Sequence, residues 1–187
     1  MESLLNYVEA IYPLSNSLKN HLKNSIQVKR VLKNELILKA GHTSRQIYFV
    51  EKGLLRAFYL KRDLEISSWF MKEGDFIISV TSFFKQIPSN ESIQALEDSV
   101  LYSLSYTKLQ NVYRNFPEFN FVGRVITEKY YALSEQRIAA LKMMRGNERY
   151  DYLMENHREL LQRVPLKYIA SYLGVAEVTL GRSRFKK

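Results

Sequence analysis

An α+β fold is predicted by three features of the chain. Apolar and polar residues alternate in short runs between residues 26 and 106, apolar residues recur at helical spacing on either side of them, and residues 164–187 form a basic segment with helix-turn-helix spacing. The expected order is a β-roll with flanking helices over 1–116, a long helix over 117–145, and a helix-turn-helix domain over 146–187.

Ser3 to Leu22 carries Leu4, Leu5, Val8, Ile11 and Tyr12, then Leu14, Leu18 and Leu22, which predicts two short helices broken at Pro13. From Ile26 the period changes to two, in runs such as QVKRVLK, QIYFVEKG, LLRAFYLK, EISSWFM and VLYSLSY, punctuated by Asn34, Gly41, Gly53, Asp63 and Gly74. Short strands so spaced make a sandwich or barrel. Tyr106 to Phe116 returns to helical spacing through Leu109, Val112 and Tyr113.

Pro117 to Met144 is the longest helical pattern. Val122, Ile126, Lys129, Leu133 and Ala140 recur every three or four residues, a seam that suits either the chain's own roll or a second copy of the same helix. Gly146 and Asn147 break the pattern, and Glu148 to Leu161 resumes it.

In VPLKYIASYLGVAEVTLGRSRFKK, Pro165 opens a helix whose inner face is Leu166, Ile169, Ala170 and Leu173. Gly174 supplies the left-handed stop, and Val175 and Leu180 return to the same core. The second helix then offers its first residues to base edges. Arg182 suits guanine, Glu177 suits cytosine N4, and the methyls of Val178 and Thr179 suit thymine, whereas Lys167, Arg184 and Lys186 suit phosphate. An ordinary helix pair with a solvated basic tail shares this pattern. Ser183 and Gly181 depart from it, since that helix usually buries an aliphatic side chain and avoids glycine.

With 187 residues, 46% of them apolar, the chain can bury a sizeable core. It contains no run of about 18 apolar residues and no basic segment leading into an apolar one, so a cytoplasmic protein without membrane attachment is expected. No cysteine is present to form a disulfide or an iron–sulfur cluster, and His21, His42 and His157 are too scattered for a metal site. The net charge of +9 suits a polyanion, but residues 19–45, with seven Lys/Arg against one acid, are as basic as residues 162–187, with six against one.

Val50-Glu51-Lys52-Gly53, Gly74-Asp75-Phe76-Ile77, and Gly174 with Thr179, Gly181 and Arg182, in this order around a roll and a long helix, resemble the catabolite-activator and fumarate-nitrate-regulator (Crp/Fnr) family of transcription regulators. The resemblance spans almost the whole chain. It implies a cyclic-nucleotide-binding-like sensor, a homodimer joined through the long helices, and winged-helix reading heads on double-stranded DNA, with RNA polymerase as a further partner. It also implies a roll pocket lined by Trp69, Phe76, Ile78, Ser79, Glu91, Ser92, Tyr130 and Ser134.

Departures from that family concern the ligand and the wing. Members that bind cyclic AMP carry a Gly-Glu pair where this chain has Ile78-Ser79, and an Arg-Ser or Arg-Thr pair where it has Glu91-Ser92. A carboxylate in the cation's place repels a phosphate, so cyclic AMP is not expected to bind in the usual manner, and no cofactor is expected. The chain stops at Lys187, where relatives continue into the wing. Two further readings stand beside the regulator: a small-ligand-binding module whose helix-turn-helix no longer reads DNA, and an enzyme, which lacks a close His/Asp/Glu set or a Gly-rich phosphate loop.

Overall fold

The computed structural model describes residues 1–178 and 180. Helix α1 (Glu2–Ile11) starts on an acidic residue, suited to the positive end of its dipole, and stops at Tyr12, which the following Pro13 holds extended at φ −156° and ψ 135°. The hydroxyl of Ser15 accepts from the Leu18 N–H at 3.2 Å and caps α2 (Asn16–Ser25).

Strands β1 (Gln27–Val31), β2 (Leu36–Leu38), β3 (Gln46–Lys52), β4 (Leu55–Lys61), β5 (Leu64–Met71), β6 (Phe76–Ile77), β7 (Glu91–Ala95) and β8 (Ser99–Ser105) form two four-stranded sheets, ordered β1-β8-β3-β6 and β2-β7-β4-β5. Strand β8 is central to the first, pairing antiparallel with β1 (Val31↔Ser99) and with β3 (Tyr48↔Ser103). A short helix, α3 (Val80–Lys85), interrupts the strands after β6; the alternation alone does not reveal it.

Ser105 caps α4 (Tyr106–Asn115), and α5 (Glu118–Met143) follows. The helical pattern expected to run unbroken from Glu148 to Leu161 is divided at His157 into α6 (Gly146–Asn156) and α7 (Arg158–Arg163), and α8 (Leu166–Leu173) follows. His157 takes φ −144° and ψ 44°, outside the helical region, so the break is in the backbone.

The chain divides into two compact units. One unit comprises Met1–Ala57 and Phe70–Glu128; the other comprises Phe58–Trp69 and Lys129–Lys187. The first is held by a core of Leu4, Leu5, Val8, Leu18 and Leu22 from α1 and α2 against Phe49, Tyr102 and Leu104 of the sheet and Leu109, Val112, Phe119 and Val122 of α4 and α5. In the second, Tyr150, Leu153, Leu160, Ile169, Ala170, Leu173 and Leu180 are buried.

Candidate functional site

Of the expected roll residues, the structure brings Ser79, Glu91 and Ser92 into one buried hydrogen-bonded group, and it adds Ser89. The Ser89 hydroxyl donates to the Glu91 carbonyl at 2.7 Å and accepts from the Glu91 N–H at 3.0 Å. Its one proton being used, the 2.9 Å contact between Ser79 Oγ and Ser89 Oγ has Ser79 as donor. Ser92 Oγ accepts from the Ala40 N–H at 3.0 Å, while the Ser89 backbone exchanges bonds with the 41–42 turn, Gly41 N to Ser89 O at 2.7 Å and Ser89 N to His42 O at 3.0 Å. Ser82, on α3, accepts from the Ser44 N–H at 2.8 Å and donates to the Ile87 carbonyl at 2.5 Å. Glu91 takes part through its backbone, and the hydroxyls of Ser79 and Ser89 are committed to each other and to that backbone. An entering phosphate has to displace these bonds.

Two expected lining residues belong elsewhere. Phe76 lies edge-on to Phe49 and Tyr7, with ring centroids 5.1 and 5.6 Å apart, and Ile78 packs with it against the helix-side core. Trp69, Tyr130 and Ser134 fall in the second unit, where the Ser134 hydroxyl donates back to the Tyr130 carbonyl at 2.8 Å.

Arg56 of β4 is a cation inside the roll that the sequence reading does not single out. It is wholly buried, and its Nη2 donates to Gln94 Oε1 at 3.0 Å. In LLRAFYLK an arginine among apolar residues reads as the outward face of an alternating strand, but Leu55, Arg56, Ala57 and Phe58 are all buried, so both faces are covered at this point.

The expected seam on α5 is also revised. Val122 is fully buried in its own core and so is not free to face a second chain, and the half-buried Ile126 packs against that core. Leu133 and Ala140 are half-buried, while Lys129 is exposed. Tyr131 (67% exposed), Ile138 (45%) and Leu141 (42%) form a separate stripe at spacings of seven and three, left uncovered in the single chain.

At the C-terminal end, α8 buries Ile169, Ala170 and Leu173 and stops at Gly174, whose φ of +66° and ψ of 38° are the left-handed conformation. The Val175 N–H donates to the Ala170 carbonyl at 3.0 Å and the Gly174 N–H to the Ser171 carbonyl at 3.3 Å, the paired bonds of a Schellman turn. Helical backbone resumes at Glu177 and Val178, and the Leu180 N–H donates to the Ala176 carbonyl at 3.2 Å. Leu180 is buried, whereas Glu177 and Val178 face outward, Val178 at 69% exposure. Lys167 is exposed, its ammonium 4.8 Å from the centre of the Tyr168 ring. Thr179, Arg182, Arg184 and Lys186 lie outside the described residues.

Among the described residues no group of His, Asp and Glu is gathered to hold a metal, and no helix is long and apolar enough to cross a membrane. Residues 28–116 match the cyclic nucleotide-binding domain family. No curated protein sequence matches the chain. Solved structures match it in fold. The c-di-GMP-responsive global regulator CLP of Xanthomonas campestris is 14% identical, with 92% of this chain and 91% of that one covered and a TM-score of 0.74. FixK2 from Bradyrhizobium japonicum is 19% identical over 86% and 83%, with a TM-score of 0.73, and the catabolite activator protein of Thermus thermophilus is 16% identical over 94% and 84%, with a TM-score of 0.58. Residues 28–116 thus carry a cyclic-nucleotide-binding-type roll, within a chain similar in fold to catabolite-activator and related regulators.

Proposed function

We propose that the chain is a homodimeric, sequence-specific DNA-binding transcription regulator of the Crp/Fnr type whose roll does not use the usual cyclic-nucleotide contacts. The observation that carries this reading is the turn at Gly174. It joins the buried face of α8 to a helical segment that tucks in Leu180 and turns Glu177 and Val178 outward, the arrangement a helix-turn-helix needs to present side chains to a major groove. Glu177, Val178, Thr179 and Arg182 are the proposed base readers, with Lys167, Arg184 and Lys186 on phosphate.

A pair of such segments needs two-fold symmetry, and the stripe of Tyr131, Ile138 and Leu141 on α5 is the surface proposed for the second copy. Leu133 and Ala140 flank it. For the sensor, the closed group of Ser79, Ser89, Glu91 and Ser92 supports a roll that does not take up cyclic AMP. Calorimetry tests this half: no heat is expected on adding cyclic AMP, and micromolar binding abolished by Ser92→Ala refutes it. For the reader, Arg182→Ala is expected to cost about 1 to 3 kcal/mol on the preferred site and to relax one base pair, whereas Lys186→Ala weakens all sequences alike. Mobility shifts on preferred and random DNA distinguish the two, and equal losses on both DNAs reduce Arg182 to a phosphate contact.

A further inference from the structure

The stretch from Met144 to Asn147, with a glycine between two elements, reads in the sequence as a domain boundary. Its geometry is that of a fastened joint. Arg149, in the first turn of α6, donates from Nη1 to the Met144 carbonyl at 2.6 Å and from Nε to the Leu173 carbonyl at 2.7 Å. One guanidinium thereby ties the residue that follows α5 to the last residue of α8. From α5 itself, Arg137 donates to the Tyr172 carbonyl at 2.7 Å, and its guanidinium carbon lies 3.5 Å from the centre of the Tyr172 ring.

Both cations meet the end of α8 where unpaired carbonyls and the helix dipole concentrate negative charge. Burial pulls the Arg137 pKa below its usual value, and the neighbouring Arg149 charge acts in the same direction. The backbones are also close. A Cβ placed on Gly146 would lie 2.5 Å from Val175 Cγ1, so the turn side chain rests directly on the start of α6. A lysine in place of Arg149 offers a single point donor; only the planar fork reaches two carbonyls with fixed geometry.

We infer that Arg149 is a positioning residue that fastens residues 144–147 to the Gly174 turn, so that the 129–143 part of α5 and residues 174–178 move as one body, without a hinge between them. That this body carries the DNA reader rests on the function proposed above; the fastening itself does not. The division of the chain agrees, placing residues 129–143 in one compact unit with α6, α7 and α8.

The chain has no cysteine, so a pair introduced as Ala139→Cys and Ala176→Cys, both exposed positions, takes nitroxide labels without background. Labelled full-length chain diluted with unlabelled chain gives the intrachain distance distribution by pulsed electron resonance. A single narrow distribution is expected in the parent, a broadened one in Arg149→Met, and an intermediate width in Arg149→Lys, which keeps the charge and serves as the milder variant. DNA affinity of Arg149→Met is expected to fall about ten-fold, the effect of losing one charge-assisted bond. A parent distribution that is already broad, or one unchanged in Arg149→Met, overturns the inference. A parent that binds no DNA refutes the regulator reading instead, and the distance widths still decide the fastening.

Discussion

Replacing Gly53 with alanine should be among the most damaging single changes to the roll. Gly53 sits between β3 and β4 at φ +105°, a conformation that side chains rarely adopt, and its N–H donates to Glu73 Oε1 at 2.8 Å. A Cβ there meets the Ser99 hydroxyl first, and lies 2.7 Å from Ser99 Cβ and 2.8 Å from Ser99 Cα. Carbon atoms in contact sit at ~3.5 Å or more, so the start of β8 has to retreat by about 1 Å, and β8 is the strand that β1 and β3 both pair with. Backbone strain of about 1 to 3 kcal/mol and overpacking of about 1 to 3 kcal/mol together give a loss of roughly 2 to 6 kcal/mol, a large part of the ~5 to 15 kcal/mol that holds a typical domain. Urea unfolding followed by far-ultraviolet circular dichroism measures it. Adding Ser99→Ala removes only the hydroxyl and leaves Cα and Cβ in place, so little should be recovered. A loss below about 1 kcal/mol, or full rescue by Ser99→Ala, refutes the reasoning, because the obstacle would then be a movable side chain and not backbone.

Val122→Ala and Leu141→Asp should separate the two roles of α5: the first lowers stability by about 1 to 3 kcal/mol without changing the sedimentation coefficient, and the second dissociates the dimer while leaving the thermal midpoint of the monomer nearly unchanged. Dissociation by Val122→Ala in a fully folded chain contradicts that assignment. Burial raises the pKa of Tyr48 and Tyr113 above the usual 10.0, favouring the protonated form in the folded chain. Their contribution to stability is therefore complete below about pH 10 and is lost as pH rises through the raised values. Tyr48→Phe and Tyr113→Phe should flatten this alkaline limb in pH-dependent urea titrations, and an unchanged slope contradicts it.

Apart from α3 and the break at His157, the element order was legible from local signals: Pro13 divides α1 from α2, the period of two marks the strands, and Gly174 stops α8. Side-chain destinations were less legible, because periodicity identifies a covered face without saying what covers it. Val122 has the spacing of a seam residue and is consumed by the core beneath α1 and α2, and Phe76 sits at a pocket-like position yet packs on Phe49 and Tyr7. Arg56 was missed because its strand is covered on both faces, which an arginine in an alternating run does not announce. Ser89 carries no motif at all; only the fold places its hydroxyl against Ser79 and Glu91. The same limit hid the joint at Met144, where a polar, glycine-containing stretch looks like a flexible boundary until the two carbonyl contacts of Arg149 are seen.

Selection of bound genomic fragments by the purified full chain tests the central claim most directly. The account predicts recovery of a pseudo-palindrome with half-sites about one helical turn, or ~34 Å, apart, bound by a dimer. Recovery of unrelated fragments with no shared sequence, or binding to a single half-site by a monomer at micromolar concentration, would contradict it.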